Sequence, residues 1–119
     1  ARADAGTTVA IDALRALAHE TARSVAIRVG ALMALEGLRE PSADAMRTPP
    51  ALLDDVSATV REAARLSAGA LARAGRAAHQ AEADAIEADL ASRYARANTP
   101  DGRRAYLAAL GNSAGPRPS

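Results

Sequence analysis

The sequence predicts an all-helical protein, and three observations support this prediction. The 119 residues include 34 Ala, the residue with the best intrinsic helix propensity, but only two Tyr and no Phe or Trp. No segment alternates polar and apolar residues with the period of two that is typical of a strand. Pro and Gly residues divide the chain into about six helical stretches. Because the core must be built from Ala, Leu, Val, Ile and Met, we expect closely packed helices.

We expect these helices to form a single domain of three antiparallel pairs. A chain of this length can bury one core. Residues 1–6 are small and polar and predict a disordered lead-in, residues 7–115 predict the helical domain, and residues 116–119 predict a flexible tail. The predicted pairs span about residues 7–38, 43–74 and 77–112.

The first pair has recognisable helix starts. Thr7 or Thr8 can cap a helix over residues 9–18, and Ser24 can cap a second helix over residues 25–38. Apolar residues occur nearly all round the second helix. Since a helix of this kind is usually covered on both sides, we expect it to be the most buried element.

The second pair contains two adjacent prolines. Proline lacks a backbone N–H and clashes with the preceding turn, so Thr48 as the cap and Pro49 as the first helical residue predict that a short third helix begins there. Thr59 and Glu62, three residues apart, predict a capping box at the start of the fourth helix. Gly75 predicts its end.

The third pair comprises a fifth helix over about residues 77–97 and a sixth helix that follows Thr99. Asp89 and Arg93 are four residues apart in the fifth helix, and such a pair contributes about 0.2–0.5 kcal/mol on an exposed face. Thr99 and the proline after it predict the start of the sixth helix, and Gly111-Asn112 with Gly115-Pro116 predict its end.

The second helices of the three pairs share a pattern around an arginine. Aligning Arg28 with Arg61 relates the first two pairs by 33 residues, and aligning Arg61 with Arg103 relates the last two by 42 residues. In a solenoid, equivalent positions line up on one surface. Arg28, Arg61 and Arg103 therefore form a candidate ladder. We favour a role as struts between repeats, with contact to a partner as the alternative.

The second pair resembles a known family of repeats. Residues 52–55 (LLDD), 60–64 (VREAA) and 69–71 (GAL) resemble the second half of a HEAT repeat, in which an Asp-bearing turn precedes a Val-Arg pair and a face of small residues. The resemblance extends over about residues 12–115. It implies a right-handed α-solenoid of the bacterial type that acts as a non-enzymatic scaffold for protein–protein interaction.

A second resemblance implies a different ligand. Residues 106–115 (YLAALGNSAG) are similar to the ending of helical repeats in the vitellogenin-type lipid-transfer superhelix. That similarity implies binding or transfer of a lipid or another apolar ligand. Lipid carriage therefore stays open as an alternative to the binding of a protein or peptide.

The composition bears on partners and compartment. All 15 basic residues are Arg, they are spread along the chain, and 14 carboxylates offset them to a net charge of +1, which argues against nucleic-acid binding. The chain has no Cys for disulfides or thiolate chemistry and no apolar run long enough to span a membrane. The chain starts at Ala1 rather than Met, as a piece of a longer protein would. Neither end of the predicted stack has a polar capping helix, so we expect further repeats or self-association. The compartment stays open.

Two His–acid pairs could suggest metal binding. His19 and Glu20 resemble the paired motifs of HEAT-like di-iron hydroxylases, a resemblance that would imply a metal-dependent enzyme, but that family uses about four such pairs. His79 and Glu82 are spaced i, i+3 on a predicted helix, yet two ligands hold a metal poorly. We favour solvated helix positions for both pairs and predict no metal or cofactor.

The remaining polar residues show no catalytic pattern. Asp54 and Asp55 are adjacent, so their side chains diverge, and the resemblance explains them as residues of a turn. No serine has a His and an acid at a recognisable spacing. We therefore predict a protein without catalytic residues.

Overall fold

A computed structural model describes residues 5–114, with side chains from residue 8 onwards. These residues form six α-helices and no β-strand, which confirms the predicted all-helical class. The predicted lead-in overlaps the first helix at Ala5 and Gly6. Its other residues and the predicted tail lie outside the described part of the chain. In chain order the helices are α1 (Ala5–His19), α2 (Val25–Glu36), α3 (Ala43–Ala51), α4 (Ala58–Gly75), α5 (Gln80–Arg96) and α6 (Pro100–Ala114).

Hydroxyl caps define where four of these helices begin. Ser24, Ser42, Ser57 and Thr99 each accept a hydrogen bond from the backbone N–H three residues further on, at 3.1–3.3 Å. Such bonds satisfy backbone donors that the first helical turn leaves free. The predicted caps Ser24 and Thr99 are confirmed, whereas the cap predicted at Thr7 or Thr8 is wrong, because α1 begins at Ala5. The capping box predicted from Thr59 is wrong, because Ser57 caps α4 instead.

The predicted start of the third helix is also wrong. α3 begins after Ser42, and Pro49 and Pro50 lie in its last turn. Proline has a φ angle that suits a helix, but its ring lacks a backbone donor and crowds the preceding turn, so it is accommodated where a helix is about to end. Thr48 donates its hydroxyl to the Asp44 carbonyl at 3.0 Å, and tight turns then close the chain from Pro49 to Leu52. The prolines therefore end this helix.

The six helices contact one another both within consecutive pairs and between pairs. The members of each consecutive pair, α1 with α2, α3 with α4 and α5 with α6, contact each other. In addition, α4 packs against both α2 and α6, while α3 packs against both α1 and α5. The smallest dimension of the molecule is 21 Å, about the thickness of two helices with their side chains. Within residues 5–114, no helix has the length and apolar character needed to cross a membrane.

The centre of the core lies on α4, which corrects the prediction for α2. Eight residues of α4 are buried, including Val60, Ala64 and Leu71, whereas α2 buries four and exposes Met33 and Ile27. Neighbours account for the difference, because α4 contacts α2, α3, α5 and α6. The apolar circumference of α2 is therefore only partly covered.

Small residues let α4 approach its neighbours closely. A Cβ atom on Gly69 would lie 2.6 Å from the Ala109 carbonyl oxygen of α6. A Cβ atom on Gly75 would meet the flexible end of the Met46 side chain on α3. A backbone carbonyl cannot move aside as a methionine side chain can, so glycine at position 69 determines how closely α4 and α6 pack.

Candidate functional site

The three arginines of the predicted ladder occupy the same position in their helices. Each lies four residues after the capping Ser or Thr and donates its backbone N–H to the carbonyl of that residue. These pairs are Arg28 with Ser24, Arg61 with Ser57 and Arg103 with Thr99. The sequence alignment of the second helices therefore corresponds to a shared backbone register, although the side chains differ in their surroundings.

Arg28 is a buried ionic link between α2 and the turn that precedes α4. Its side chain is 2% exposed and forms a bidentate pair with Asp55, with N–O distances of 3.0 and 2.5 Å. Its Nε also donates to the Ala18 carbonyl at the end of α1, at 3.0 Å. The hydrogen bonds that Arg28 donates to Asp55 raise the pKa of Arg28 against the opposing effect of burial. One guanidinium thus joins α1, α2 and the turn before α4.

Asp55 also connects Arg28 to Arg61. The hydrogen bonds from Arg28 lower the pKa of the Asp55 carboxyl, although burial acts in the opposite direction. The same carboxylate accepts the backbone N–H of Ser57 at 2.9 Å, and the Asp55 carbonyl accepts a hydrogen bond from Arg61 at 2.7 Å. Two of the three predicted site residues therefore bind the same aspartate: Arg28 binds its carboxylate and Arg61 binds its backbone carbonyl.

Arg103 is not brought to this cluster. Its Nε donates to the carbonyl of Ala97 at 3.1 Å, six residues earlier, just as Arg61 bonds to the carbonyl six residues before it. Ala97 occupies the position that corresponds to Asp55. Arg61 and Arg103 therefore both bind backbone carbonyls, and neither repeats the carboxylate pair that Arg28 forms with Asp55.

The adjacent carboxylates of Asp54 and Asp55 are bound by different arginines. Asp54 forms a bidentate pair with Arg93 of α5, at 2.8 and 2.9 Å, and this interaction lowers the pKa of the Asp54 carboxyl. Arg93 also bonds to Asp89 at 3.0 Å, as its spacing predicted. Only the local Asp89 pair was readable from the sequence, since Asp54 lies 39 residues from Arg93.

Neither histidine belongs to a group of residues that could bind a metal ion in the described region. Over residues 5–114, no three His, Asp or Glu side chains are grouped so that they could hold a metal ion. His79 is the N-cap residue of α5, and Glu82 pairs with Arg47 of α3 at 2.9 Å. His19 is the last residue of α1 and is exposed.

A groove of about 360 Å³ lies between α3 and α5. Met46 and Ile86 contribute to its lining, but both are buried in the core. Arg47 and Glu82 at its rim pair with each other. The charged residues that line the α3/α5 groove are thus paired within the protein, Glu82 with Arg47 and Asp89 with Arg93. Its full lining is Met46, Arg47, Pro50, Ala81, Glu82, Ala85, Ile86 and Asp89.

A second groove, of about 280 Å³, lies between α2 and α4. Its large apolar side chains are more exposed than Met46 and Ile86 of the α3/α5 groove: Met33 is 60% exposed and Leu66 is 43% exposed. Glu36 and Glu62 are the charged residues in its lining. The α2/α4 groove is lined by Val29, Met33, Glu36, Thr59, Glu62, Ala63, Leu66 and Ser67.

Sequence reasoning identified the arginines and, for lipid carriage, expected the apolar second helix and its neighbours to line a groove, but it did not identify the residues that line the α2/α4 groove. The available signal was the apolar circumference of α2, which we interpreted as a sign of burial. No family model, curated protein sequence or solved structure matches this chain.

Proposed function

We propose that this protein is a non-enzymatic module for protein–protein interaction, built as a right-handed stack of three antiparallel helix pairs. In this arrangement α1, α3 and α5 form one layer and α2, α4 and α6 form the other. The packing of α4 between α2 and α6 and the shared position of the three arginines support it. The buried bond from Arg28 to Asp55 would then be a strut between the first and second pairs.

The observation that carries the binding function is the incompletely covered apolar surface of α2 and α4. Met33 and Leu66 lie on adjacent helices, each nine residues after its cap, and both border the α2/α4 groove. Exposed apolar side chains that line a concave surface with polar neighbours are typical of interaction sites. Binding there needs surface complementarity and no covalent chemistry.

The outermost pair offers a second contact region. Leu32, Arg65 and Leu107 each lie eight residues after the cap of their helix. Leu32 of α2 is fully buried, and Arg65 of α4 has its guanidinium over the Tyr106 ring. Leu107 of α6 is 57% exposed. In a stack, neighbouring pairs cover such positions. Leu107 therefore marks a surface that further repeats or a second copy of the chain would cover.

Selection of peptides from a random phage-displayed library tests the proposed function. We expect the wild-type chain to enrich specific peptides. Isothermal titration should show that Leu66→Asp, which places a charge in the α2/α4 groove, abolishes their binding. Ala85→Asp in the α3/α5 groove is the matched control and should leave binding unchanged. Circular dichroism melting checks that both variants fold.

Two results would contradict this proposal. One is the absence of any peptide that binds the folded wild-type chain. The other is equal binding by the wild-type and Leu66→Asp proteins. If no peptide binds and native mass spectrometry shows a retained lipid, lipid carriage would replace protein binding as the proposed function.

A further inference from the structure

We propose that the α2/α4 groove binds an amphipathic helix with two basic side chains seven residues apart and apolar side chains between them. This inference rests on the proposed function, because it names the chemistry of the partner for the same groove. It depends on three features: the direction of the two helices, the positions of two glutamates and the lack of ionic partners for those glutamates.

Two bonds show that α2 and α4 run side by side in the same direction. Near their starts, Arg28 of α2 binds Asp55, which lies just before α4. Further along both helices, the Ser67 hydroxyl of α4 donates to the Leu32 carbonyl of α2 at 3.4 Å. Positions counted from the two caps therefore lie at similar heights along the groove.

This direction places a carboxylate towards each end of an apolar floor. Glu62 lies five residues after its cap, Met33 and Leu66 lie nine residues after theirs, and Glu36 is the last residue of α2, twelve after its cap. The two glutamates are thus offset by about seven residues, which corresponds to about 10 Å along the helix axes. The exposed apolar side chains lie between them.

The same spacing occurs on one face of a bound helix. Residues i and i+7 of an α-helix are separated by about 10.5 Å and point to the same side. Residues i+3 and i+4 lie between them on that face. Lys or Arg at i and i+7 can therefore meet Glu62 and Glu36, while apolar residues at i+3 and i+4 contact Met33 and Leu66.

Within the part of the chain that the structure describes, Glu36 and Glu62 have no arginine partner. From residue 8 to residue 114, all but three acidic side chains form ion pairs with arginines. The three without such a pair are Glu36, Glu40 and Glu62. Two of these three line the α2/α4 groove.

The arginines three residues after each glutamate are oriented elsewhere. Arg65, one turn after Glu62, has its guanidinium over the Tyr106 ring, 5.2 Å from the ring centre. Arg39 follows Glu36 by three residues but lies beyond Gly37, which caps the end of α2. Local helix geometry therefore does not bring a cation to either carboxylate.

Charge then discriminates between occupants of the groove. A purely apolar helix would cover the floor but would desolvate the carboxylates without pairing them, which is unfavourable. An acidic helix or an anionic lipid would add repulsion. A basic amphipathic helix supplies both the apolar contact and the missing charges.

Three synthetic 14-residue helical peptides test this inference. All carry Leu at two central positions spaced i+3 and i+4. They differ at i and i+7, which are Lys in the first, Gln in the second and Glu in the third. Fluorescence anisotropy with labelled peptides should show that the Lys peptide binds about tenfold more tightly than the Gln peptide, with the Glu peptide weaker still. The preference should decline as salt concentration rises.

Glutamate variants locate the source of this preference. The double variant E36Q/E62Q should bind the Lys and Gln peptides equally, whereas Glu40→Gln, which removes the third unpaired carboxylate outside the groove, should retain the tenfold preference. The charge-reversed variant E36K/E62K should prefer the Glu peptide. These substitutions are at exposed or half-exposed positions, so thermal melting should be little changed.

The outcomes separate this inference from the proposed function. Equal affinity of the wild-type protein for the Lys and Gln peptides, with both lost in Leu66→Asp, would overturn the basic partner and leave groove binding in place. A Lys preference that persists in E36Q/E62Q would also overturn it. If none of the three peptides binds, and the phage library yields no binder either, both proposals fail.

Discussion

α2 and α4 lie side by side, yet their burial is the reverse of what their sequences suggest. α2 carries few polar residues and leaves Met33, Ile27 and Val25 exposed. α4 carries several charged residues and still buries eight of its positions. The difference shows that a helix is buried according to how many neighbours it has. An apolar helix with too few neighbours within the described fold is a natural place to look for a partner.

The largest effect should come from the ionic link that joins the two helices. Asp55→Ala leaves the buried Arg28 guanidinium without its counter-charge and should lower the free energy of unfolding by about 3–5 kcal/mol, measured by urea denaturation. Asp54→Ala is the matched control at the adjacent residue. Asp54 is 80% exposed, so losing its pair with Arg93 should cost below about 1 kcal/mol. Equal losses of unfolding free energy in the two variants would show that the buried pair of Arg28 with Asp55 stabilises the fold no more than the exposed pair of Arg93 with Asp54.

Truncating apolar side chains tests the burial difference directly. Leu71→Ala in α4 removes a fully buried side chain and should lower the free energy of unfolding by about 2–5 kcal/mol. Met33→Ala in α2 removes an exposed one and should change it by less than about 1 kcal/mol. A large loss in Met33→Ala would mean that α2 is covered in solution, for example by self-association, and sedimentation at several concentrations would reveal this.

Glycine substitutions should have opposite signs in the two helices. Gly69→Ala in α4 places a methyl group against the Ala109 carbonyl and should destabilise the protein by about 1–3 kcal/mol. Gly30→Ala in α2 meets no atom within 4 Å and should stabilise it by about 0.5–1 kcal/mol, because Ala favours the helix. Thermal melting of both variants measures the difference. Stabilisation by Gly69→Ala would contradict the close contact of α4 with α6.

A smaller effect should appear at low pH. The hydrogen bonds from Arg28 lower the pKa of Asp55, so this carboxylate stabilises the fold above its unfolded pKa of about 3.9. That contribution disappears as the pH falls through the lower, folded pKa. The wild-type free energy of unfolding should therefore decline below about pH 4, and its advantage over Asp55→Asn should shrink there. An advantage that stays constant down to pH 2 would contradict this linkage.

The helices and their caps could be predicted because they depend on neighbouring residues. Ser24 and Thr99 bind N–H groups only three residues away, so the local sequence is sufficient to find them. The start of α3 was missed because the cost of Pro49 depends on where it lies in the helix, and the cap at Ser42 decided that position.

The candidate site was only partly predictable. The alignment of Arg28, Arg61 and Arg103 correctly indicated equivalent positions, but it could not show that only the first has a carboxylate partner. That difference depends on Asp55, which lies 27 residues from Arg28 and contacts it through the packing of helices. The α2/α4 groove likewise combines residues from two helices and has no local signature.

The sequence by itself determined the helical class, the starts of α2 and α6 and the repeated register of the arginines, since these follow from propensity, capping and spacing within a few residues. The tertiary structure alone decided which helix is central, which arginine is buried and where two glutamates lack partners. These properties depend on contacts between residues far apart in the chain. Only the packed arrangement determines how much water each side chain retains.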